Sequence, residues 1–141
     1  MSTATAFTAI RAHLEANWTA TALVFDNEVI ATPADASGND LPFVQVQITG
    51  DLWDQASIGA GDRLENRWEE TGELLLSVIV PTGTGSLLAR QHAEALANIF
   101  RGLNLDESNI EFRDISIGLG VAAQDRGSWW LLPMRINWTR G

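Results

Sequence analysis

The chain has 141 residues, of which 45% are hydrophobic and 19% are charged, with no cysteine and a formal net charge of −9. This length suits one domain, so we expect residues 1–141 to fold as a single unit. The lack of cysteine excludes a disulfide framework and a thiolate metal site. The acidic charge, with arginines scattered along the chain, argues against a protein that grips nucleic acid through clustered basic side chains.

The first half of the chain predicts one helix followed by short strands. Apolar residues at helical spacing indicate a helix over about residues 4 to 17. TALVF (21–25) and EVIAT (28–32) are short strand candidates, and a polar loop separates them from the alternating strand FVQVQIT (43–49). The segment RLENRWEETGELLLSVIV (63–80) predicts a hairpin that turns at Thr71–Gly72. Its second arm is apolar on both faces, as in a central strand.

The second half predicts another helix and two further strands. The helix covers about residues 86 to 101 and ends at Gly102. The strands IEFRDISIG (110–118) and WWLLPMRINWT (129–139) are joined through DRG, and Pro133 predicts an edge or a bulge in the last one. The expected fold is α+β, a mostly antiparallel sheet with two main helices packed on it, in the order α-β-β-β-β-β-α-β-β.

The Gly-rich stretch TGTGS (82–86) lies between a predicted strand and a helix, where phosphate-binding loops also occur. A P-loop needs a lysine that reaches the outer phosphate, but all nine basic residues of this chain are arginine. The dinucleotide pattern G-x-G-x-x-G also fails, because Leu88 stands at its last position. The stretch is therefore interpreted as a structural turn.

Residues for catalysis or metal binding are sparse, so we expect no enzyme, no metal and no cofactor. The two histidines, His13 and His92, lie on separate predicted helices and supply too few ligands for zinc. No nucleophile motif such as G-x-S-x-G is present. A small hydrolase that uses the carboxylates of the hairpin remains an alternative; these are Glu65, Glu69, Glu70 and Glu73.

Six tryptophans without any tyrosine are an unusual aromatic content. Trp18, Trp68, Trp130 and Trp138 fall on apolar faces and are predicted to lie in the core. Trp53 stands in an acidic loop beside Asp54, and Trp129 points away from the face of its neighbour in the last strand. Exposed tryptophans are frequent interface anchors, so either another subunit or a stacked sugar ring would fit them.

One long segment resembles a known family. The residues that carry the resemblance are Gly59, Gly61, Arg63, Arg67, Gly72, Pro81, Gly83, Gly85, Ala89, Ala93, Ala97, Phe100 and Arg101. They form a Gly-containing loop, an arginine-rich strand, an apolar strand that ends in a P-x-G-x-G turn, and an alanine-rich helix that ends in Phe-Arg. This pattern, with the closing IGLG and GSW, is similar to small bacteriophage proteins known as tail terminator-like or tail completion proteins.

The resemblance implies a structural role in a virion. Subunits of such a protein are expected to form a hexameric ring on the head-proximal end of a long non-contractile tail, to stop polymerisation of the tube and to provide the surface on which the head docks. The implied partners are further copies of the chain, the tail-tube protein and a head-side connector. The implied location is the head–tail junction of a phage or of a phage-derived gene-transfer particle. A head-side connector or neck protein, and a carbohydrate-binding module, remain alternatives.

Two groups of residues are the candidate sites under this interpretation. Trp53, Asp54 and Trp129 are predicted to contact another subunit or the tube. Arg63, Glu65, Arg67 and Glu69, placed on one face of a strand, are predicted to line the channel or to form a subunit contact. Because each copy carries a net charge of −9, we expect an acidic channel through which DNA passes without specific binding.

Overall fold

The fold, seen in a computed structural model, is described for residues 2–29, 31–83, 85–118, 121–122 and 129–141. Two helices pack on one face of a curved sheet, so the predicted α+β class is confirmed. Two short 3-10 helices interrupt the loops, at Arg63–Glu65 and Asp106–Ser108. The main elements are α1 (Ala4–Asn17), β1 (Ala22–Phe25), β2 (Phe43–Gln55), β3 (Trp68–Pro81), α2 (Leu87–Phe100), β4 (Asn104–Leu105), β5 (Ile110–Ile117), β6 (Val121–Ala122) and β7 (Trp129–Arg140).

The sheet has the strand order β1-β2-β3-β7-β5-β4, and β6 pairs with β7. Among the strands of the described residues, β1 and β2 run parallel to each other and the other pairs are antiparallel. The four long strands β2, β3, β7 and β5 therefore alternate in direction across the sheet. The predicted order of elements agrees with this arrangement in outline.

The core lies between the helices and one face of the sheet. Alternate residues of β3, among them Leu74, Leu76 and Val78, point to this face and are fully buried. Leu14 of α1 and Leu96 of α2 cover them from above and are also fully buried. The opposite residues of β3 are also apolar in part, which agrees with the prediction that this segment is a central strand.

The two histidines lie on the facing sides of the helices but do not meet. His13 Nε2 lies 3.3 Å from the carbonyl oxygen of Ile99. His92 stands edge-on to Trp18, with ring centroids 5.6 Å apart. Burial lowers the pKa of His92 below its ordinary value because the charged form loses its hydration.

Two strand predictions between the helices are wrong. Residues 28, 29, 31 and 32 lie outside any strand, and β3 runs straight through Thr71–Gly72 instead of turning there. The turn lies earlier, in the loop of residues 56–67 that joins β2 to β3. Gly72 serves close packing rather than a turn, because a Cβ at this position would stand 2.5 Å from the indole of Trp138.

The prediction that Pro133 marks an edge is wrong, because β7 lies inside the sheet between β3 and β5. The predicted irregularity is present, because the register shifts by one residue between the pairs Ile117–Met134 and Val121–Leu131, on either side of Pro133. The carbonyl oxygen of Pro133 accepts a 2.8 Å hydrogen bond from the backbone N–H of Gly118, just after β5 ends. In an antiparallel strand the nitrogen of a residue points to the same side as its oxygen. Pro133, which has no backbone N–H, therefore lies where the pairing of β7 with β5 has ended and its pairing with β6 has not yet begun. The DRG connection lies outside the described residues.

Candidate functional site

Among the described residues, four of the nine exposed large apolar side chains lie within residues 50–70, which we call the arm. It comprises the end of β2, the connecting loop and the start of β3. The pairing between β3 and β7 ends at Glu70 and Arg140, so the arm projects beyond the end of β7. A register shift between Gly50 and Leu52 marks its beginning. Its exposed apolar side chains, with the exposed fraction of each residue, are Leu52 (56%), Trp53 (61%), Ile58 (90%) and Leu64 (81%).

The loop of the arm is held in shape by its own polar groups. The Asn66 side chain, which is buried, accepts a 3.0 Å hydrogen bond from the backbone N–H of Ala60. The hydroxyl of Ser57 accepts a 2.7 Å bond from the backbone N–H of Arg67, and the Asp62 carboxylate caps the short 3-10 helix. The apolar side chains are therefore presented on an ordered loop, which reduces the entropy lost when a partner binds.

A buried carboxylate fixes the base of the arm. Glu70 is only 2% exposed, and it accepts hydrogen bonds from the backbone N–H of Thr3 at 2.9 Å and from its hydroxyl at 2.8 Å. On the other side, Arg140 Nη1 lies 3.6 Å from Glu70 Oε2. Because Thr3 also caps α1 by accepting from the N–H of Ala6, Glu70 joins the arm to the first helix and to the end of β7.

The two faces of the arm differ in character. On the helix side, Trp53 packs edge-on against Trp68, with ring centroids 6.4 Å apart, and Trp68 Nε1 donates a 3.3 Å bond to the carbonyl of Arg63. On the other side, Asp54 stands directly opposite Glu69 across the β2–β3 ladder. Two like charges in opposite positions repel each other, and Arg67 Nη2, 3.9 Å from Glu69 Oε2, offsets part of this repulsion.

The structure separates residues that the sequence placed together. Arg63 and Glu65 lie in a 3-10 helix, whereas only Arg67 and Glu69 are near the start of β3, so the four do not share one strand face. The prediction of a single charged strand face is therefore wrong. The hairpin on which it rested does not turn where it was expected.

Trp129 is also remote from Trp53. The partners of these residues on β3 are Pro81 and Glu70, which lie roughly 36 Å apart at the usual rise per strand residue. Trp129 is half-buried and packs edge-on against Phe43, with centroids 5.4 Å apart. Of the predicted contact residues, Trp53 and Asp54 are thus together on the arm, whereas Trp129 belongs to a different surface.

The predicted carboxylates Glu70 and Glu73 do not lie together. Glu70 is buried beside Thr3 and Arg140, whereas Glu73 lies on the opposite face, 3.5 Å from Arg135. Among the described residues no group of three or more metal-ligating side chains is found. In the same part of the chain, neither helix has the length and apolar character that a membrane crossing requires.

Comparison with known proteins decides the family. The family model described as phage tail terminator protein matches residues 6–138, which is almost the whole chain. The chain belongs to the phage tail terminator family. This family is a structural one, so the protein has a structural role in the phage tail, is located in the virion tail and interacts with other tail proteins.

Other comparisons add the fold alone. No functionally curated protein matches this tail terminator family member. A solved structure without a functional name is similar to it with a TM-score of 0.66 at 19% identity, over 96% of this chain and 95% of that one. At this level of identity the likeness establishes a common architecture and nothing about activity.

Sequence reasoning found Trp53 but missed the residues around it. Leu52 stands between Asp51 and Trp53, and Ile58 and Leu64 each lack an apolar neighbour; the signal was that each is a large apolar side chain in a segment without periodicity. Glu70 was grouped with the surface carboxylates of the hairpin. Its partner Thr3 is 67 residues away in the chain, so no local pattern could reveal its burial.

Proposed function

We propose that this protein forms a ring, expected to contain six copies, which caps the head-proximal end of the tail tube. In that position the ring stops further addition of tube subunits and offers a docking surface to the head. The observation that supports this proposal is the arm, an ordered loop with four exposed apolar side chains. Several exposed apolar side chains on one ordered loop are typical of a surface that another protein covers.

The energy available at the arm is sufficient for a specific contact. Trp53 leaves 61% of its surface exposed. Since a tryptophan buries about 150–250 Å² when it is covered, closing the remainder would contribute up to roughly 3 kcal/mol. Leu52 and Leu64 would add to this, and the internal hydrogen bonds of the loop limit the entropy lost on binding. We propose that the arm contacts a neighbouring subunit or the tube, with Trp53 as the anchor.

The alternatives are weaker for specific reasons. A carbohydrate-binding module built on Trp53 and Trp129 would need both indoles on one platform, but their β3 partners are roughly 36 Å apart. A hydrolase would need converging carboxylates, and Glu70 and Glu73 face opposite sides of the sheet. A head-side connector or neck protein is the remaining alternative, and the position of the protein in the particle distinguishes it from a tail terminator.

We also propose that DNA passes through the ring without being bound. The net charge of −9 per copy supports an acidic channel, because phosphate contacts require basic side chains. Arg63, Glu65, Arg67 and Glu69 remain candidates for the channel lining or for a subunit contact, as separate parts of the arm rather than as one strand face. Tight binding to duplex DNA at low salt, with a steep loss as salt is raised, would contradict this proposal.

Substitution of Trp53 tests the proposed cap. Trp53→Ala is expected to fold but to weaken assembly by about 2 kcal/mol or more, as for a buried anchor. In particles that carry this variant, electron microscopy should show tubes that are longer than normal and lack heads. The matched control is Leu87→Ala, which removes another exposed apolar side chain at the start of α2.

The outcomes separate clearly. Normal tails with Trp53→Ala would show that the arm is not a contact. Loss of folding, measured by circular dichroism, would place Trp53 in the core instead. If imaging located the wild-type protein as a single copy, or outside any ring, the proposed cap itself would be wrong.

A further inference from the structure

We infer that the arm of each copy in the ring seats in an apolar groove at the opposite end of the neighbouring copy. This inference rests on the proposed ring and names the surface of the neighbour that receives the arm. It depends on three features of the chain: the composition of the groove, its distance from the arm of the same copy, and the charges beside each of them.

The groove lies where α2 begins and next to the residue that precedes β2. It is a cavity of about 530 Å³, a volume within the range of protein binding sites. Leu41 and Leu88 line it and remain 40% and 38% exposed, and Leu87 beside them is 68% exposed. No aspartate, glutamate, lysine or arginine is among its described lining residues, which include residues 19–22 after α1, Pro33, Leu41 and Pro42 before β2, and Leu88 and His92 of α2.

The loop before β2 gives the groove an ordered wall. The Asp35 carboxylate accepts two 2.9 Å hydrogen bonds from backbone N–H groups of the same loop. The backbone N–H of Leu41 donates a 2.9 Å bond to the carbonyl oxygen of Pro33. Because these bonds hold the wall in place before a partner arrives, little conformational entropy is lost on binding.

The arm and the groove of one chain are too far apart to meet. Phe43, next to the groove residue Pro42, pairs with Ile79 of β3. Trp53 of the arm pairs with Glu70. These two β3 residues are 79 − 70 = 9 positions apart, which spans about 30 Å in a strand. Each arm can therefore fill only the groove of another copy, and repeating a contact between two different surfaces closes a ring when the rotation between copies allows.

The apolar surface of the arm continues from Trp53 to Leu64. Trp53 packs edge-on against Trp68, which donates to the carbonyl of Arg63, the residue before Leu64. Leu64 is 81% exposed and Trp53 is 61% exposed. Seating this surface in the groove removes apolar area from water on both copies, which is the main favourable term in association.

The charges beside the two surfaces are complementary. Arg63 is exposed and forms no ion pair with another described residue. Asp40, which precedes Leu41 at the rim of the groove, is also exposed and has no ion pair in the described part of the chain. Placing Leu64 beside Leu41 brings these two unpaired charges of opposite sign together, and such complementarity selects one partner over others.

Exchange of the two charges tests the contact. Either Arg63→Glu or Asp40→Arg alone should lower the number of normal tails about tenfold, because like charges then face each other. The double variant Arg63→Glu, Asp40→Arg restores opposite charges and should recover wild-type assembly. The matched control is Arg90→Glu, Asp40→Arg, which has the same net charge. It should assemble no better than Asp40→Arg, because Arg90 is two residues from Leu88 and does not share its side of α2.

Cysteine cross-linking gives an independent measurement because the chain contains no cysteine. The double variant Ala20→Cys, Leu64→Cys carries one thiol in the groove and one on the arm, and purified tails are treated with a short bifunctional maleimide. We expect a ladder of covalent multimers that ends at one size, the full ring. Either single variant should give no product larger than a dimer, and Leu64→Cys combined with Ser116→Cys on β5 should give no ladder.

The outcomes separate the inference from the proposed function. Rings seen by imaging with neither charge rescue nor a ladder would overturn the seating of the arm in the groove and leave the proposed cap intact. Cross-linking of Ala20→Cys to a different tail protein would place that protein in the groove and also overturn the inference. Absence of any ring would instead overturn the proposed function.

Discussion

Replacement of Glu70 tests how the arm is held to the rest of the domain. Its carboxylate is 2% exposed and accepts two hydrogen bonds from Thr3, at 2.9 and 2.8 Å, with Arg140 at 3.6 Å on the other side. Glu70→Ala removes all three contacts and leaves the donors of Thr3 without their partner. Glu70→Gln keeps the shape and one acceptor oxygen but loses the charge.

The size of the effect follows from these contacts. Each hydrogen bond to a charged group contributes about 1.5–3 kcal/mol. In Glu70→Ala part of this loss is offset, because the variant has no carboxylate to dehydrate on folding. The partly exposed ion pair with Arg140 adds well under ~1 kcal/mol. We therefore expect Glu70→Ala to lower the free energy of unfolding by about 3 kcal/mol, and Glu70→Gln by about 1 kcal/mol.

Thermal and urea unfolding followed by circular dichroism measure both values. A loss of 3 kcal/mol corresponds to a fall in melting temperature of roughly 10 °C for a domain of this size. The matched control is Glu69→Ala, because its neighbour Arg67 is 3.9 Å away and both side chains are substantially exposed. We expect that control to change stability by less than ~0.5 kcal/mol. Equal effects of Glu70→Ala and Glu69→Ala would refute the buried clamp.

Two further predictions concern the core. Gly72→Ala should prevent stable folding, because the added Cβ would collide with the backbone oxygen of Thr49. The control Gly61→Ala has open space around the added Cβ and should melt like the wild type. Similar melting temperatures for the two variants would refute the close packing at Gly72. Burial lowers the pKa of His92 in the folded protein. As pH falls below about 6.5, His92 therefore takes up a proton in the unfolded chain before it does so in the folded one. The contribution of His92 to the free energy of unfolding is thus full above that pH and declines below it. Urea unfolding should show a smaller decline for His92→Gln, and an unchanged pH dependence would exclude His92 as its source.

The sequence by itself determined the local elements with strong periodicity. Both helices were predicted within a residue or two, because the apolar residues of each recur on one side at helical spacing. The second half of β3 was recognised as central because it is apolar on both faces, and Trp53 was recognised as exposed because acids surround it. These features depend on neighbours in the chain, and their physical causes act over a few residues.

Tertiary structure alone decided the pairing of the strands and the formation of the arm. The T-G pair at residues 71–72 looks like a turn locally, but the indole of Trp138, from a strand far along the chain, requires a residue without Cβ inside a straight strand. The same long-range pairing put β7 inside the sheet despite Pro133. It also buried Glu70 against Thr3. These outcomes depend on contacts between residues distant in sequence, which no local pattern of side chains specifies.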